Sequence, residues 1–238
     1  MKYVFYSIVL ILVFANSTGY SQGENAETGY TFRSGDPNGI GKWYMGREIA
    51  YVMGYQGINW LERPEREKEE QTSLLLENMD IKPDDRIADI GAGSGYHVFK
   101  MAPMAKNGIV YAVDIQDGML TALRARKKKE QAINVEVIKG SEQSIKLAEN
   151  SVDKVLMVDV YHEFSYPREM MASVVKALRD KGKLFLIEYR GEDRTVPIKK
   201  VHKMTVKQAV KELEAAGMKL EKNINNLPWQ HCMIFIKK

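Results

Sequence analysis

Two stretches of this 238-residue sequence gather chemically capable residues at close spacing. The first runs Ala88-Asp89-Ile90-Gly91-Ala92-Gly93-Ser94-Gly95-Tyr96-His97. It packs glycines at positions 91, 93 and 95 behind a short apolar run and sets a carboxylate two residues ahead of the first. Glycine costs backbone entropy, so this density calls for something that comes very close to the main chain. The second, Asp159-Val160-Tyr161-His162-Glu163, follows another apolar run and brings together two carboxylates, a phenol and an imidazole. An imidazole titrates near neutrality and can take a proton. A tyrosine ring can face a cation or shape an acceptor pocket.

The glycine loop has to suit a ligand. A dinucleotide pyrophosphate is met by G-x-G-x-x-G/A. Here Gly91 and Gly93 fit that pattern, but its third position falls on Tyr96; the spacing is G-x-G-x-G. Asp114 ends the run YAVDI, where a carboxylate can accept two hydrogen bonds from a ribose diol. Asp89 separates the remaining candidates. It would repel a pyrophosphate but attract a ligand ammonium, directly or through water. S-adenosylmethionine (SAM) carries an ammonium, a sulfonium, a carboxylate and a ribose, and no phosphate. The loop amides and the start of the following helix could receive its carboxylate.

These residues need a frame that collects them. From Pro64 onward the chain alternates helix and strand. A proline-opened helix over residues 64–79 precedes the strand RIADI and the glycines. GIVYAVDI, NVEVIKG, DKVLMVDV and KGKLFLIEYR read as further strands, separated by helices at 116–130 and 167–179. DKVLMVDV is almost wholly apolar, as a strand buried on both faces must be. A helix over 205–216 ends at Gly217, and MKLEKNI and HCMIFIKK can close the chain as a hairpin. The alternation implies an α/β fold: a Rossmann-like, doubly wound, mostly parallel seven-stranded sheet with an antiparallel C-terminal hairpin. In such sheets ligands bind outside the carboxyl ends of the strands, near the switch point. Asp89, Asp114 and Asp159 all fall at those ends.

ADIGAGSGY resembles motif I of the class I SAM-dependent methyltransferases. YAVDI is similar to their second-strand acidic motif, LMVDVYHEF to their fourth-strand motif, and KALRDKGKLFLIEY to their fifth-strand unit. The similarity runs from about Trp60 to the carboxyl terminus. WLERPEREKEE, VDVYHEFSYP and EYRGEDRTVPIKKVHKM further resemble a bacterial subgroup of exported methyltransferase-like proteins. The resemblance implies that Asp89, Gly91, Gly93 and Gly95 line the methionine half of SAM, that Asp114 binds the ribose and that Ile115 lies against the adenine. For Gly95 and Ile115, packing alone is the competing reading. The family often places an acid directly after the glycine that ends the third strand; here Gly140 is followed by Ser141 and then Glu142, so Glu142 is the expected contact to the adenine amine, with Ser141 as its substitute. On the catalytic side it points to His162, Tyr161 and Asp159. His162 is read as a base or as a loop hydrogen-bonder, Glu163 as a structural cap, and His202 as a second base or a polar loop residue. Glu188 and Arg190 could pair with each other.

Composition narrows the rest. Hydrophobic residues make up 45% and charged residues 28%, with a net charge of +4, ordinary for a soluble globular protein. The basic run Arg124–Lys129 sits late in a helix, where positive charge suits the dipole, and gives no support for nucleic-acid binding. Cys232 stands alone in an apolar segment, which excludes an intramolecular disulfide and a cysteine-cluster zinc site. No His/Asp/Glu group has metal-ligand spacing along the chain, so no metal is expected. Residues 1–21 have the charged, apolar and small-residue regions of a signal peptide, with cleavage before Gln22. The alternative is an uncleaved membrane anchor. Residues 22–59 read as a tail and a lid-like segment, whose candidate covering residues are Met45, Tyr51, Met53, Tyr55 and the adjoining Trp60, with a helix packed on the sheet as the competing reading. Residues 60–238 form the methyltransferase-like domain. The expectation is an exported enzyme, periplasmic or extracellular, that methylates a small-molecule acceptor. A protein that binds SAM or a nucleoside without catalysis is the alternative, since export separates the chain from cytoplasmic SAM; an NAD-dependent oxidoreductase ranks below both.

Overall fold

The computed structural model describes residues 29–238, and the expected export signal lies outside the described residues. The segment expected as a tail as far as Gly41 instead contributes to an antiparallel sheet of β1 (Tyr30–Phe32), β2 (Gly39–Tyr44) and β3 (Arg47–Ala50). Met45 and Gly46 take φ of 49° and 95°, so Tyr44 and Arg47 pair across a two-residue turn whose twist suits a hairpin. The buried Glu48 carboxylate accepts hydrogen bonds from the Asp36 and Gly41 amides at 2.7 and 3.2 Å and pins the long β1–β2 loop.

The helix expected over 64–79 is broken. Short α1 (Ile58–Leu61) leads to α2 (Arg66–Glu70) and α3 (Thr72–Met79), parted at Gln71 with φ 49°. Glu67 accepts hydrogen bonds from the Thr72 hydroxyl and the Ser73 amide, so a side chain of α2 caps the start of α3.

From there strands and helices alternate as expected: β4 (Arg86–Ile90), α4 (Val98–Met101), β5 (Ile109–Asp114), α5 (Asp117–Glu130), β6 (Val135–Lys139), β7 (Val152–Val158), α6 (Pro167–Ala177), β8 (Leu178–Tyr189), α7 (Val206–Ala215), β9 (Met218–Ile224) and β10 (Gln230–Lys237). The sheet order is β6-β5-β4-β7-β8-β10-β9. Its first five strands are parallel, and β10 enters antiparallel between β8 and β9. The fold is the α/β, Rossmann-like, seven-stranded arrangement expected. One face packs Leu76, Phe99, Leu120 and Leu123 against Ile87 and Leu156, and the other packs Met170, Val174 and Leu213 against Val155 and Leu186. Cys232 is buried in the first of these layers, and burial pushes its thiol up to about 11. The chain steps from β4 outward to β5 and β6, then returns to β7 on the other side of β4. That reversal opens a crevice at the carboxyl ends of β4 and β7.

Candidate active site

A cavity of about 530 Å³ lies in this crevice, lined at one end by Gly91, Gly93, Asp114, Ile115, Ser141 and Glu142. Gly91 and Gly93 have φ of +72° and +55°, and an added Cβ would come within 2.4 Å of Val160 and 2.7 Å of Leu61. Backbone angle and space both demand glycine there. Gly95, with φ +81°, does not line the cavity; its Cβ would strike the Phe99 ring at 2.5 Å, so packing of the loop on α4 is what requires it.

The loop amides differ from expectation. Gly91 and Ala92 both donate to the Val113 carbonyl, Gly95 donates to Ala92, and Gly93 donates to Asp114 Oδ2 at 2.9 Å. The following helix is the single turn of α4. These amides are therefore engaged within the protein, and the glycines serve close approach more than hydrogen bonding. Positive charge reaches this end of the cavity from Arg66.

Asp89 is buried and does not itself line the cavity, although its neighbours Ile90 and Gly91 do. Its Oδ2 has no hydrogen-bond partner. Loss of solvent pushes its carboxyl up to about 7, against the pull of Arg66 and helped by the nearby Asp114. An orphaned buried acceptor beside a ligand cavity fits a ligand ammonium reached through water. Asp114 accepts from the Gly93 and Gln116 amides, both at 2.9 Å, and burial raises its carboxyl. It thus holds the loop in shape and keeps its remaining lone pairs for a ribose. Ile115 is 38% exposed, an apolar platform at the cavity wall. Ser141 and Glu142 both line the wall.

The other end of the cavity is lined by Asp159, His162, Glu163, Phe164, Met170, Ile198 and His202. His162 is buried, with Nδ1 2.6 Å from Glu188 Oε2 and Nε2 3.1 Å from His202 Nδ1. An ionised carboxylate only accepts, so Nδ1 carries the proton toward Glu188. The neighbouring Glu188 and Glu163 raise the affinity of His162 for a second proton above that of a free imidazole, although burial opposes them. Glu188 Oε1 also takes the amides of Tyr161 and His162 at 3.0 and 3.3 Å. Glu188 therefore serves His162, while Arg190 turns away to the Leu227 carbonyl; the expected Glu188–Arg190 pair does not form.

Tyr161 is also placed differently from expectation. Its side chain is fully buried, its ring packs edge-on to Phe164, and its hydroxyl donates to Glu212 Oε2 at 2.9 Å. It does not line the cavity and braces the loop from behind. Asp159 does line it, with φ 50°, and accepts a 2.6 Å hydrogen bond from Gln230. Burial and the charges of Glu70 and Glu188 hold its carboxyl well above the usual range.

Of the residues expected in the lid-like segment, Met53 and the adjoining Trp60 line the cavity, with Val52 and Leu61 beside them, whereas Met45, Tyr51 and Tyr55 do not. Glu163 accepts the Met53 amide at 3.2 Å, and Gln116 bonds the Met53 carbonyl and the Tyr55 amide at 2.9 and 2.8 Å. Upstream, Arg47 on β3 makes two bonds to the buried Glu212 of α7, at 2.8 and 2.9 Å, and donates to the His162 carbonyl at 3.0 Å. Sequence reasoning missed Arg47, Arg66, Gln116 and Glu212; for Arg47 and Glu212 a charged residue next to apolar ones in a strand or helix was the available signal.

Residues 88–186 match a family model described as a methyltransferase domain. An uncharacterized methyltransferase of Bacillus subtilis, YcgJ, is 25% identical over 125 residues, 52% of this chain and 49% of its own length. An uncharacterized methyltransferase-like protein of Schizosaccharomyces pombe is 34% identical over 134 residues, 56% of this chain and 49% of its own. The chain spans about half the length of these curated relatives. A SAM-dependent methyltransferase from Aquifex aeolicus shares the fold, with TM-score 0.74 and 23% identity over 79% of this chain and 100% of that one. The glycine approach, the orphaned Asp89 acceptor and the Asp114 carboxylate suit S-adenosylmethionine, and the chain has the fold of that SAM-dependent methyltransferase, with residues 88–186 similar to the methyltransferase domain model.

Proposed function

We propose that this chain methylates a small-molecule acceptor with SAM, outside the cytoplasm, after cleavage of a signal over residues 1–21. The observation that carries the transfer reading is that one cavity runs from the glycine loop to His162. When bound, the cofactor supplies a methyl group activated by a positive sulfur. Asp89 would hold its ammonium through water, Asp114 its ribose, Ile115 with Ser141 or Glu142 its adenine. Methyl transfer needs chiefly a nucleophile held in line, which is the work of a closed pocket. Val52, Met53, Trp60 and Leu61 form part of the cavity wall, and the size of the cavity suits a small acceptor. His162 presents Nε2 to accept the acceptor's proton, with Glu188 fixing the ring and stabilising the imidazolium that forms. Asp159, whose carboxyl is held above the usual range by burial and by its acidic neighbours, lines the same end and has one oxygen without a hydrogen-bond partner.

No helix among the described residues is long and apolar enough to cross a membrane. Calorimetry with SAM, S-adenosylhomocysteine and NAD tests the cofactor; binding of NAD without SAM would overturn the reading. SAM binding without turnover on any acceptor would leave a binding protein. Intact-mass analysis of the native protein should find a chain starting near Gln22 outside the cytoplasm. A cytosolic chain beginning at Met1 or Lys2 would refute export.

A further inference from the structure

Three ligating atoms converge at the acceptor end of the cavity. His162 Nε2, His202 Nδ1 and Glu163 Oε1 lie within 4.8 Å of one another. Their separations are 3.1 Å between the imidazoles, 3.6 Å from His202 to Glu163 and 3.9 Å from His162 to Glu163. A tetrahedral divalent ion bound at about 2.0–2.2 Å sets its nitrogen and oxygen ligands roughly 3.3–3.6 Å apart. The three observed edges bracket that spacing, so small side-chain rotations would seat an ion.

The surroundings have the form of a built site. Glu188 on His162 Nδ1 at 2.6 Å is the carboxylate that fixes the tautomer and aims the Nε2 lone pair in carboxylate–histidine–metal arrangements. The His162 main chain is held on both sides, its amide by Glu188 and its carbonyl by Arg47. All three ligating residues line the same cavity as the glycine loop, so a fourth coordination position opens toward it. Along the sequence His202 stands forty residues from His162, which is why no ligand spacing shows there.

We propose that His162, Glu163 and His202 bind one divalent transition ion of the zinc class, with its open position facing the acceptor. Two imidazoles and one carboxylate are a ligand set that suits zinc and leaves room for an exogenous atom. An ion there lowers the pKa of a bound oxygen, nitrogen or sulfur and takes over the lone pair by which His162 would otherwise accept the proton. That role rests on the methyltransferase reading; ion binding itself does not.

The test uses the full chain, stripped with a chelator and then titrated with Zn2+ by calorimetry and with Co2+ by visible absorption. SAM affinity is measured on the same samples. The expected result is one ion per chain and the absorption bands of four-coordinate Co2+. His202→Ala, whose side chain is 23% exposed, should fold and bind Zn2+ at least ~100-fold more weakly. Glu188→Gln should weaken binding roughly 10–100-fold through its action on His162. His231→Ala, at the separate pair with Glu192, should bind as the parent does. Failure of the folded parent to bind Zn2+, undiminished binding by His202→Ala, or loss of binding in His231→Ala would each overturn the proposal. Intact SAM binding beside absent ion binding sinks the metal site alone; the reverse sinks the cofactor reading alone.

Discussion

The two ends of the cavity are built differently. The cofactor end is made from the tips of neighbouring parallel strands: the glycine loop after β4, Asp114 at the end of β5, and Ser141 and Glu142 after β6. Each sits in a short motif, and the bonds that shape them are local, such as Gly93 and Gln116 onto Asp114. The acceptor end draws Arg47 from the N-terminal sheet, Met53 from the segment before α1, His162 from the turn after β7, Glu188 from β8 and His202 from the loop before α7. Its polar groups are buried and paired over long chain distances. A change at the first end should act mainly on cofactor affinity; one at the second should act on turnover and on the stability of the whole domain.

The largest separation between the two ends is expected at His162. His162→Ala should lower turnover by a factor of roughly 10²–10⁴ and leave SAM affinity nearly unchanged. Rate and melting temperature read on one sample decide it: a near-parental rate per folded molecule would make His162 purely structural and erase the contrast. Next comes Glu212→Ala. It strands Arg47 without its partner and removes the acceptor of the Tyr161 hydroxyl. Denaturant melts should show a loss of about 3–5 kcal/mol. A loss under about 1 kcal/mol would mean that the N-terminal sheet is held by other contacts.

Asp89 sharpens the comparison from the cofactor side. Its folded-state carboxyl sits at about 7 against an ordinary value of 3.8, so the folded protein retains a proton that the unfolded chain has lost. Stability from this group is full below about pH 4 and falls as pH rises toward 7. In the cofactor-free protein Asp89→Asn should therefore raise the melting temperature at about pH 8, with no gain at about pH 4. The gap between the folded and unfolded values sets a ceiling of roughly 4 kcal/mol. The same variant should bind SAM more weakly. Stabilisation without any loss of affinity would remove Asp89 from the cofactor site. The smallest effect is expected for Asp114→Ala, about 1.5–3 kcal/mol of SAM affinity through lost charge-assisted hydrogen bonds. Because Asp114 also anchors the Gly93 amide, a modest fall in melting temperature should accompany it. Unchanged affinity in the folded variant would exclude the ribose role.

What could be read ahead of the structure follows the same division. The parallel strands were legible from their short apolar runs, such as residues 155–158 in β7, between helical segments, and the closing hairpin from two strand-like segments separated by a loop. Gly91, Gly93 and Asp114 were legible because a glycine loop at a strand end has few other uses. Gly95 was legible only as a glycine, since the Phe99 ring that requires it comes from the packing of α4. Tyr161 was misplaced because a residue just past a strand can face the cleft or the core, and the Glu212 acceptor that draws its hydroxyl inward lies fifty-one residues away. In the N-terminal sheet the β2–β3 hairpin was hidden by a turn built on Met45 and Gly46, and the Asp36-Pro37-Asn38-Gly39 turn between β1 and β2 was read as part of a polar tail.

By itself the sequence determined the order of helices and strands from β4 onward, the position of the cofactor loop and the acid that ends β5. These depend on hydrophobic period and on backbone freedom, which are properties of a few adjacent residues. Only the tertiary structure decided that Glu188 holds His162, that His202 and Glu163 join it, and that Arg47 ties the N-terminal sheet to the loop that carries them. Buried charges must find partners wherever the fold brings one within reach, and that reach is set by strand order and packing, which no local spacing encodes.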